Sequence, residues 1–119
     1  MARVMIAEDS NATRLVLRDS LEIGNHEIVA EAVDGIEAIK KFAETNPDVL
    51  LLDVAMPKKD GISALKEIMS SKPDAKIIMI TADENLSTIH QSAEAGAQAY
   101  IVKPFSFDEV LTAITMALN

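Results

Sequence analysis

Five short apolar runs recur along the chain, separated by segments whose apolar residues are spaced three or four positions apart. The central runs are apolar at consecutive positions, a pattern typical of parallel strands covered by helices on both faces. The spacing of the intervening segments predicts amphipathic helices. The predicted strands cover residues 3–7, 28–32, 49–52, 77–80 and 99–102.

Five helices are predicted, one after each strand. Gly24, Pro73 and Gly96 indicate where the first, third and fourth helices end. Asp34 with Glu37, and Ser106 with Glu109, have the spacing of capping boxes at the starts of the second and fifth helices. The apolar positions that define the helices are Val16, Leu17 and Leu21; Ile36, Ile39, Phe42 and Ala43; Ile62, Leu65, Ile68 and Met69; Leu86, Ile89 and Ala93; and Val110, Leu111, Ile114 and Leu118.

Strict alternation of strand and helix predicts a doubly wound α/β fold with a parallel five-stranded sheet. A parallel strand can follow another only through a connection over the sheet face, and such crossovers are right-handed. The expected strand order is 2-1-3-4-5. A chain of 119 residues fits one domain, so we expect a single domain over residues 1–119 with no output domain.

Polar residues follow four of the five predicted strands. They are Glu8 and Asp9, Asp53, Thr81, and Lys103 with Pro104. Each of them alone has an ordinary interpretation, such as a helix cap or a loop residue. In open α/β sheets, however, the functional crevice lies beyond the carboxyl ends of the strands, where these groups converge.

Gathered carboxylates repel one another unless a cation offsets their charge. Oxygen ligands without cysteine favour Mg²⁺, which commonly shares a phosphate group. The sequence therefore predicts a phosphoryl site at which Asp53 acts as the nucleophile. Lys103 and Thr81 are then expected to hold phosphoryl oxygens.

Composition narrows the expected partners and compartment. Eleven basic residues against nineteen acidic ones give a net charge of −8, which disfavours nucleic acid as a partner. The sequence shows neither a membrane-length apolar stretch nor a signal peptide. Cysteine is absent, which is compatible with a reducing compartment. We expect a cytoplasmic protein that does not insert into membranes.

The same residues identify a resemblance to response-regulator receiver domains, which have the flavodoxin-like (βα)5 fold. The resemblance rests on Glu8-Asp9, on Asp53 in the segment 51–61 (LLDVAMPKKDG), on Thr81-Ala82 and on Lys103-Pro104-Phe105. Within the family the chain is most similar to single-domain chemotaxis regulators, through residues 61–68, Ala95-Gly96-Ala97 and Tyr100. Such regulators are a known example of the 2-1-3-4-5 order, so that order is not independent of the resemblance.

The resemblance implies a role for each matching residue. Asp53 accepts phosphate from a histidine kinase. Mg²⁺ is bound by Asp9, Asp53 and the backbone carbonyl of Ala55, with Glu8 acting through a water. Lys103 contacts the phosphoryl group, and its peptide bond with Pro104 is cis.

It also implies a switch. Thr81 moves towards the phosphate and Tyr100 turns inward, so that the surface of helix 4, strand 5 and helix 5 changes partners. The partner is then a motor protein or motor adaptor, with a phosphatase as a further partner of what is expected to be a monomer. Ala55 and Asp83 occupy positions whose side chains influence dephosphorylation by water.

Other functions remain open at this point. A phosphorelay intermediate would carry the same catalytic residues, and a pseudo-receiver would keep the fold without phosphorylation. A flavin carrier is disfavoured because Glu8 and Asp9 would repel its phosphate. A dehalogenase-type phosphatase is disfavoured because Ala55 stands where its second aspartate belongs. Motifs of nucleotide-binding and hydrolase folds are absent from the sequence.

Overall fold

The computed structural model describes residues 1–82 and 85–119, in which strands and helices alternate along the chain. The strands form one parallel sheet in the order β2-β1-β3-β4-β5, which confirms the predicted fold class. The elements are β1 (Arg3–Ala7), α1 (Asn11–Ile23), β2 (Glu27–Ala32), α2 (Gly35–Thr45), β3 (Val49–Asp53), α3 (Gly61–Ser71), β4 (Ile77–Thr81), α4 (Leu86–Glu94), β5 (Ala99–Val102) and α5 (Phe107–Leu118).

Three strands differ from their predicted bounds by one residue. β2 begins at Glu27, and β3 and β4 extend through Asp53 and Thr81. The extensions occur because the backbones of these polar residues stay in the ladder, where Asp53 pairs with Ile80 and Thr81 with Val102. Asp53 and Thr81 are therefore the last residues of their strands, and not the first residues of the following loops.

The side chains of the central strands alternate between two cores, one on each face of the sheet. Val4 and Ile6 of β1 belong to the core under α1 and α5. Met5 and Ala7, from the same strand, belong to the core under α2 and α3. Every residue of β3 and β4 is buried, which explains why these runs lack polar alternate positions.

The helix ends follow the predicted capping with one correction. Ser106 and Glu109 form the predicted capping box of α5. At α2, the Asp34 carboxylate accepts a hydrogen bond from the Glu37 N–H at 2.8 Å. The Glu37 carboxylate, however, accepts from the Val33 N–H at 3.3 Å, so the reciprocal bond of a capping box is displaced by one residue.

Glycine or proline lies near each helix end at which the sequence predicted it. Gly96 has φ +104°, a left-handed conformation that favours glycine. α1 ends at Ile23, immediately before Gly24, and α3 ends at Ser71, two residues before Pro73. Within the described residues, no helix is both long and apolar enough to cross a membrane.

Candidate functional site

The acidic residues lie at the carboxyl ends of β1 and β3, which are neighbours in the sheet. Glu8 and Asp9 follow β1 directly, and Asp53 ends β3. One carboxylate oxygen from each of the three residues lies within 4.8 Å of the other two. Glu8 and Asp53 are buried, whereas Asp9 is exposed. The structure thus brings the predicted acids together, with one of them open to solvent.

Lys103, the residue after β5, joins this cluster from the far side of β4. Its Nζ lies 2.8 Å from Glu8 Oε1 and 3.4 Å from Asp53 Oδ2. The Lys103 backbone N–H donates to the Thr81 carbonyl at 2.7 Å, and the peptide bond between Lys103 and Pro104 is cis. The ammonium group therefore pairs with both buried carboxylates.

Backbone N–H groups orient the two buried carboxylates. Glu8 Oε2 accepts a hydrogen bond from the Ser10 N–H at 3.1 Å. Asp53 Oδ1 accepts from the Ala55 N–H at 3.3 Å. Each carboxylate is thus held by the loop that follows its own strand, while its other oxygen faces Lys103.

The environment shifts two pKa values in the cluster. Burial raises the pKa of Glu8, the neighbouring Asp53 raises it further, and Lys103 opposes the change. Burial disfavours the ammonium form of Lys103, but the carboxylates of Glu8 and Asp53 outweigh it and raise its pKa. The lysine therefore remains charged beside the two buried carboxyl groups.

Such a cluster fits a hard divalent cation. Its possible ligands are oxygen atoms, which Mg²⁺ prefers. Two of the three carboxylates are buried, where an uncompensated charge is costly. A bound Mg²⁺ would be held by the carboxylates of Asp9 and Asp53, with Glu8 beside them.

The two predicted switch residues lie on the neighbouring strands β4 and β5. Thr81 is 3% exposed and ends β4, next to β3. Tyr100 is half-buried and packs against the core under α2 and α3. Asp83, whose side chain was expected to influence dephosphorylation, lies outside the described residues.

One residue that contacts the site was missed by the sequence interpretation. Arg14, in the first turn of α1, donates from Nη1 to the Glu8 carbonyl at 2.8 Å. Its guanidinium also lies 3.5 Å from Glu31 on β2. A further donor, Nη2, bonds the Asn11 side chain in the same helix. Glu8 and Glu31 lie outside α1, so no local pattern in the sequence indicates the contacts with them.

The fold and the site together define a class of protein: a doubly wound α/β domain with an acidic cluster and a paired lysine at the carboxyl ends of its strands. Residues 4–115 match the family model described as response regulator receiver domain. The chain belongs to this family and is a CheY-like receiver domain of two-component signalling. Members of this class accept phosphate from histidine kinases.

A chemotaxis protein and a transcriptional regulator have the same sequence identity to the chain. It is 42% identical to chemotaxis protein CheY of Bacillus subtilis over 117 residues, which are 98% of each chain. It is also 42% identical to the transcriptional regulatory protein PdtaR of Mycobacterium tuberculosis, covering 98% of this chain but 57% of that protein.

A solved structure places a similar domain in a complex. The crystal structure of the CheX-CheY-BeF3-Mg²⁺ complex from Borrelia burgdorferi superimposes with a TM-score of 0.94. The two chains are 33% identical, and the match covers 98% of this chain and 89% of that one.

Proposed function

We propose that Asp53 accepts a phosphoryl group from the phosphohistidine of a histidine kinase, with Mg²⁺ bound beside it. The observation that carries this proposal is the placement of Lys103 Nζ between Glu8 and Asp53, in a cluster of carboxylates that can hold a cation. The arrangement supports the proposal because a candidate acceptor, carboxylates that can hold a cation and an ammonium group meet at the carboxyl ends of β3, β1 and β5.

The reaction is a displacement at phosphorus. A carboxylate oxygen of Asp53 forms a bond to phosphorus while the bond to the histidine nitrogen breaks, and the imidazole keeps that electron pair. Mg²⁺ held by Asp9 and Asp53 would supply charge that stabilises the phosphoryl oxygens. Lys103 neutralises a further oxygen, and Thr81 donates a hydrogen bond to another once the acyl phosphate has formed.

We further propose that the phosphorylated form acts in motility. Thr81 and Tyr100 are then the switch, and the surface of α4, β5 and α5 binds a motor or motor-adaptor protein. The similarity to chemotaxis protein CheY over nearly the full length of both chains supports this choice. The equally similar PdtaR favours, as a second candidate, a stand-alone receiver or phosphorelay role outside motility.

The test of the phosphorylation proposal is the intact mass after incubation with acetyl phosphate, with and without Mg²⁺. We expect the wild type to gain one phosphoryl group only when Mg²⁺ is present, and Asp53→Asn to gain none. Asp74→Asn, which removes an exposed carboxylate from the turn after α3, is the matched control and should behave as wild type. If neither acetyl phosphate nor the cognate kinase modifies the wild type, the pseudo-receiver interpretation replaces this one.

The motility proposal is tested separately in cells. Replacing the gene by one encoding Asp53→Asn should change the frequency of motor reversal. If the frequency does not change, although the purified wild-type protein accepts phosphate in the mass experiment, the phosphorelay candidate is favoured.

A further inference from the structure

Arg14 is a nearly buried cation on the side of the acidic loop opposite Lys103. Its side chain is 13% exposed, against 45% for Arg18 one turn later in α1. Sequestering a guanidinium from water is costly unless its donors are satisfied. Arg14 therefore needs specific partners. It finds them in the Glu8 carbonyl of the loop that carries the proposed metal ligands, in Glu31 of β2 and in Asn11 at the start of its own helix.

The first partner is the backbone between the two acids. Arg14 Nη1 donates to the Glu8 carbonyl at 2.8 Å, while the Glu8 N–H donates to the Ala32 carbonyl of β2 at 2.9 Å. The Glu8 carbonyl is part of the peptide group that joins Glu8 to Asp9. Holding both backbone polar groups of Glu8 thus limits the directions in which the exposed Asp9 can point.

The second partner orients Arg14 itself. Glu31 Oε1 lies 3.5 Å from Arg14 Nε, and Arg18 binds the same carboxylate through two donors at 2.8 Å. Lys41 of α2 donates to the Glu31 carbonyl at 2.6 Å. Glu31 is therefore held on both its side chain and its backbone, and it presents a fixed anion to Arg14.

We propose that Arg14 is a positioning residue for the metal site: by holding the Glu8 carbonyl against Glu31, it sets the direction of the Glu8–Asp9 loop for Mg²⁺ binding. The inference rests on the proposed function, because it concerns the affinity of the same site. Arg14 does not touch the cation or the phosphoryl group in this role.

Electrostatics and positioning predict opposite signs for the loss of Arg14. A nearby positive charge repels a cation, so removing it should strengthen Mg²⁺ binding if charge alone matters. A positioning contact should weaken Mg²⁺ binding when it is lost, as partners of metal ligands generally do. The direction of the change therefore separates the two explanations.

The experiment is a calorimetric Mg²⁺ titration of the wild type, Arg14→Met, Arg14→Lys and Arg18→Met. Arg14→Lys keeps the charge but loses the fork of donors that reaches Glu8 and Glu31 together. We expect both Arg14 variants to bind Mg²⁺ about tenfold more weakly, the lower end of the effect for partners of metal ligands. Arg18→Met leaves the contact between Arg14 and the Glu8 carbonyl in place and removes only two of the donors that hold Glu31, so it should weaken Mg²⁺ binding less than either Arg14 variant does.

Further measurements separate the possible failures. Circular dichroism confirms folding, and the phosphorylation rate at saturating Mg²⁺ should return to that of wild type in both Arg14 variants. If Arg14→Met does not fold, the Mg²⁺ affinity of Arg14→Lys tests the inference instead. If the folded Arg14 variants bind Mg²⁺ as tightly as the wild type or more tightly, the inference about Arg14 is wrong and the proposed function still stands. A wild type that neither binds Mg²⁺ nor accepts phosphate overturns the proposed function with it.

Discussion

Buried polar side chains differ in whether a partner offsets the cost of removing them from water. Glu8 and Asp53 share the ammonium of Lys103. Ser20, buried in α1, donates its hydroxyl to the Val16 carbonyl at 2.8 Å. Ser92 is 1% exposed, and its hydroxyl has no hydrogen-bond partner in residues 1–82 and 85–119. The cost of burying Ser92 is therefore uncompensated.

Replacing Ser92 by alanine should stabilise the protein. Loss of an unpaired buried hydroxyl and the better helix propensity of alanine together favour the variant by about 1–2 kcal/mol. The measurement is the free energy of unfolding from urea titrations followed by far-ultraviolet circular dichroism.

Ser20→Ala is the matched control, because it gains the same helix propensity but loses a hydrogen bond. Its free energy of unfolding should stay within about 0.5 kcal/mol of wild type, since the two contributions offset each other. Equal stabilisation by both substitutions would show that the unpaired hydroxyl of Ser92 contributes nothing.

At the scale of elements, the start of α3 packs closely against the backbone at the end of β3. A Cβ atom placed on Gly61 would lie 1.9 Å from the Asp53 carbonyl oxygen and 2.9 Å from the Val54 Cα. The Gly61 N–H donates to the Val54 carbonyl at 2.8 Å. Glycine is required here because α3 begins against the backbone of the proposed phosphoryl acceptor.

Gly61→Ala should therefore affect stability and site chemistry together. The backbone of Asp53 must shift to admit a methyl group, which we expect to cost about 2–3 kcal/mol of the free energy of unfolding. The same shift should slow phosphorylation by acetyl phosphate in the fraction that remains folded. Urea unfolding and the rate of mass gain measure the two effects.

Gly24→Ala provides the comparison at the end of α1. There the added Cβ would meet the side chains of Leu111 and His26 rather than backbone, and side chains can rotate away. We expect a loss of about 1 kcal/mol, near the lower end for added volume, with an unchanged phosphorylation rate. Slower phosphorylation in Gly24→Ala would mean that the effect of Gly61→Ala reflects general destabilisation.

The stability of the whole molecule should depend on pH through His26. Its Nδ1 accepts a hydrogen bond from the Ala2 N–H at 3.0 Å, which requires a ring nitrogen without a proton. Burial lowers the pKa of His26 below its ordinary value of 6.5, and the positive amino terminus lowers it further. The unfolded chain therefore takes up the proton at a higher pH than the folded protein does.

The sign of the effect follows from that difference. The contribution of His26 to stability is fully present above pH 6.5 and is lost as the pH falls through the lower pKa of the folded state. Glu8 acts in the opposite direction, because its raised pKa makes the folded protein the stronger proton binder.

His26→Asn isolates the contribution, since asparagine can still accept from the Ala2 N–H and does not titrate. Between pH 7.5 and pH 5.5, the free energy of unfolding should fall further in the wild type than in the variant. Other titrating groups, including Glu8, are common to both proteins and cancel in the comparison. Parallel pH profiles would show that folding does not change the pKa of His26, which would contradict the prediction.

At the scale of elements, most of the fold could be predicted from the sequence. Buried strands and amphipathic helices have local periodicities, so their number and order appear in the chain itself. The one-residue extensions of β3 and β4 could not be predicted this way. Asp53 and Thr81 are polar, and only pairing with Ile80 and Val102 retains them in the ladder.

The acidic site, too, was predictable from the sequence only in part. The sequence by itself determined that acids, a hydroxyl and a lysine stand at strand ends, because an apolar run and the polar residue that ends it are neighbours in the chain. The tertiary structure alone decided that Lys103 pairs with both Glu8 and Asp53, and that Arg14 reaches Glu8 and Glu31. Those contacts depend on strand register and on how α1 packs over β2, and distances between elements are not encoded in any local pattern.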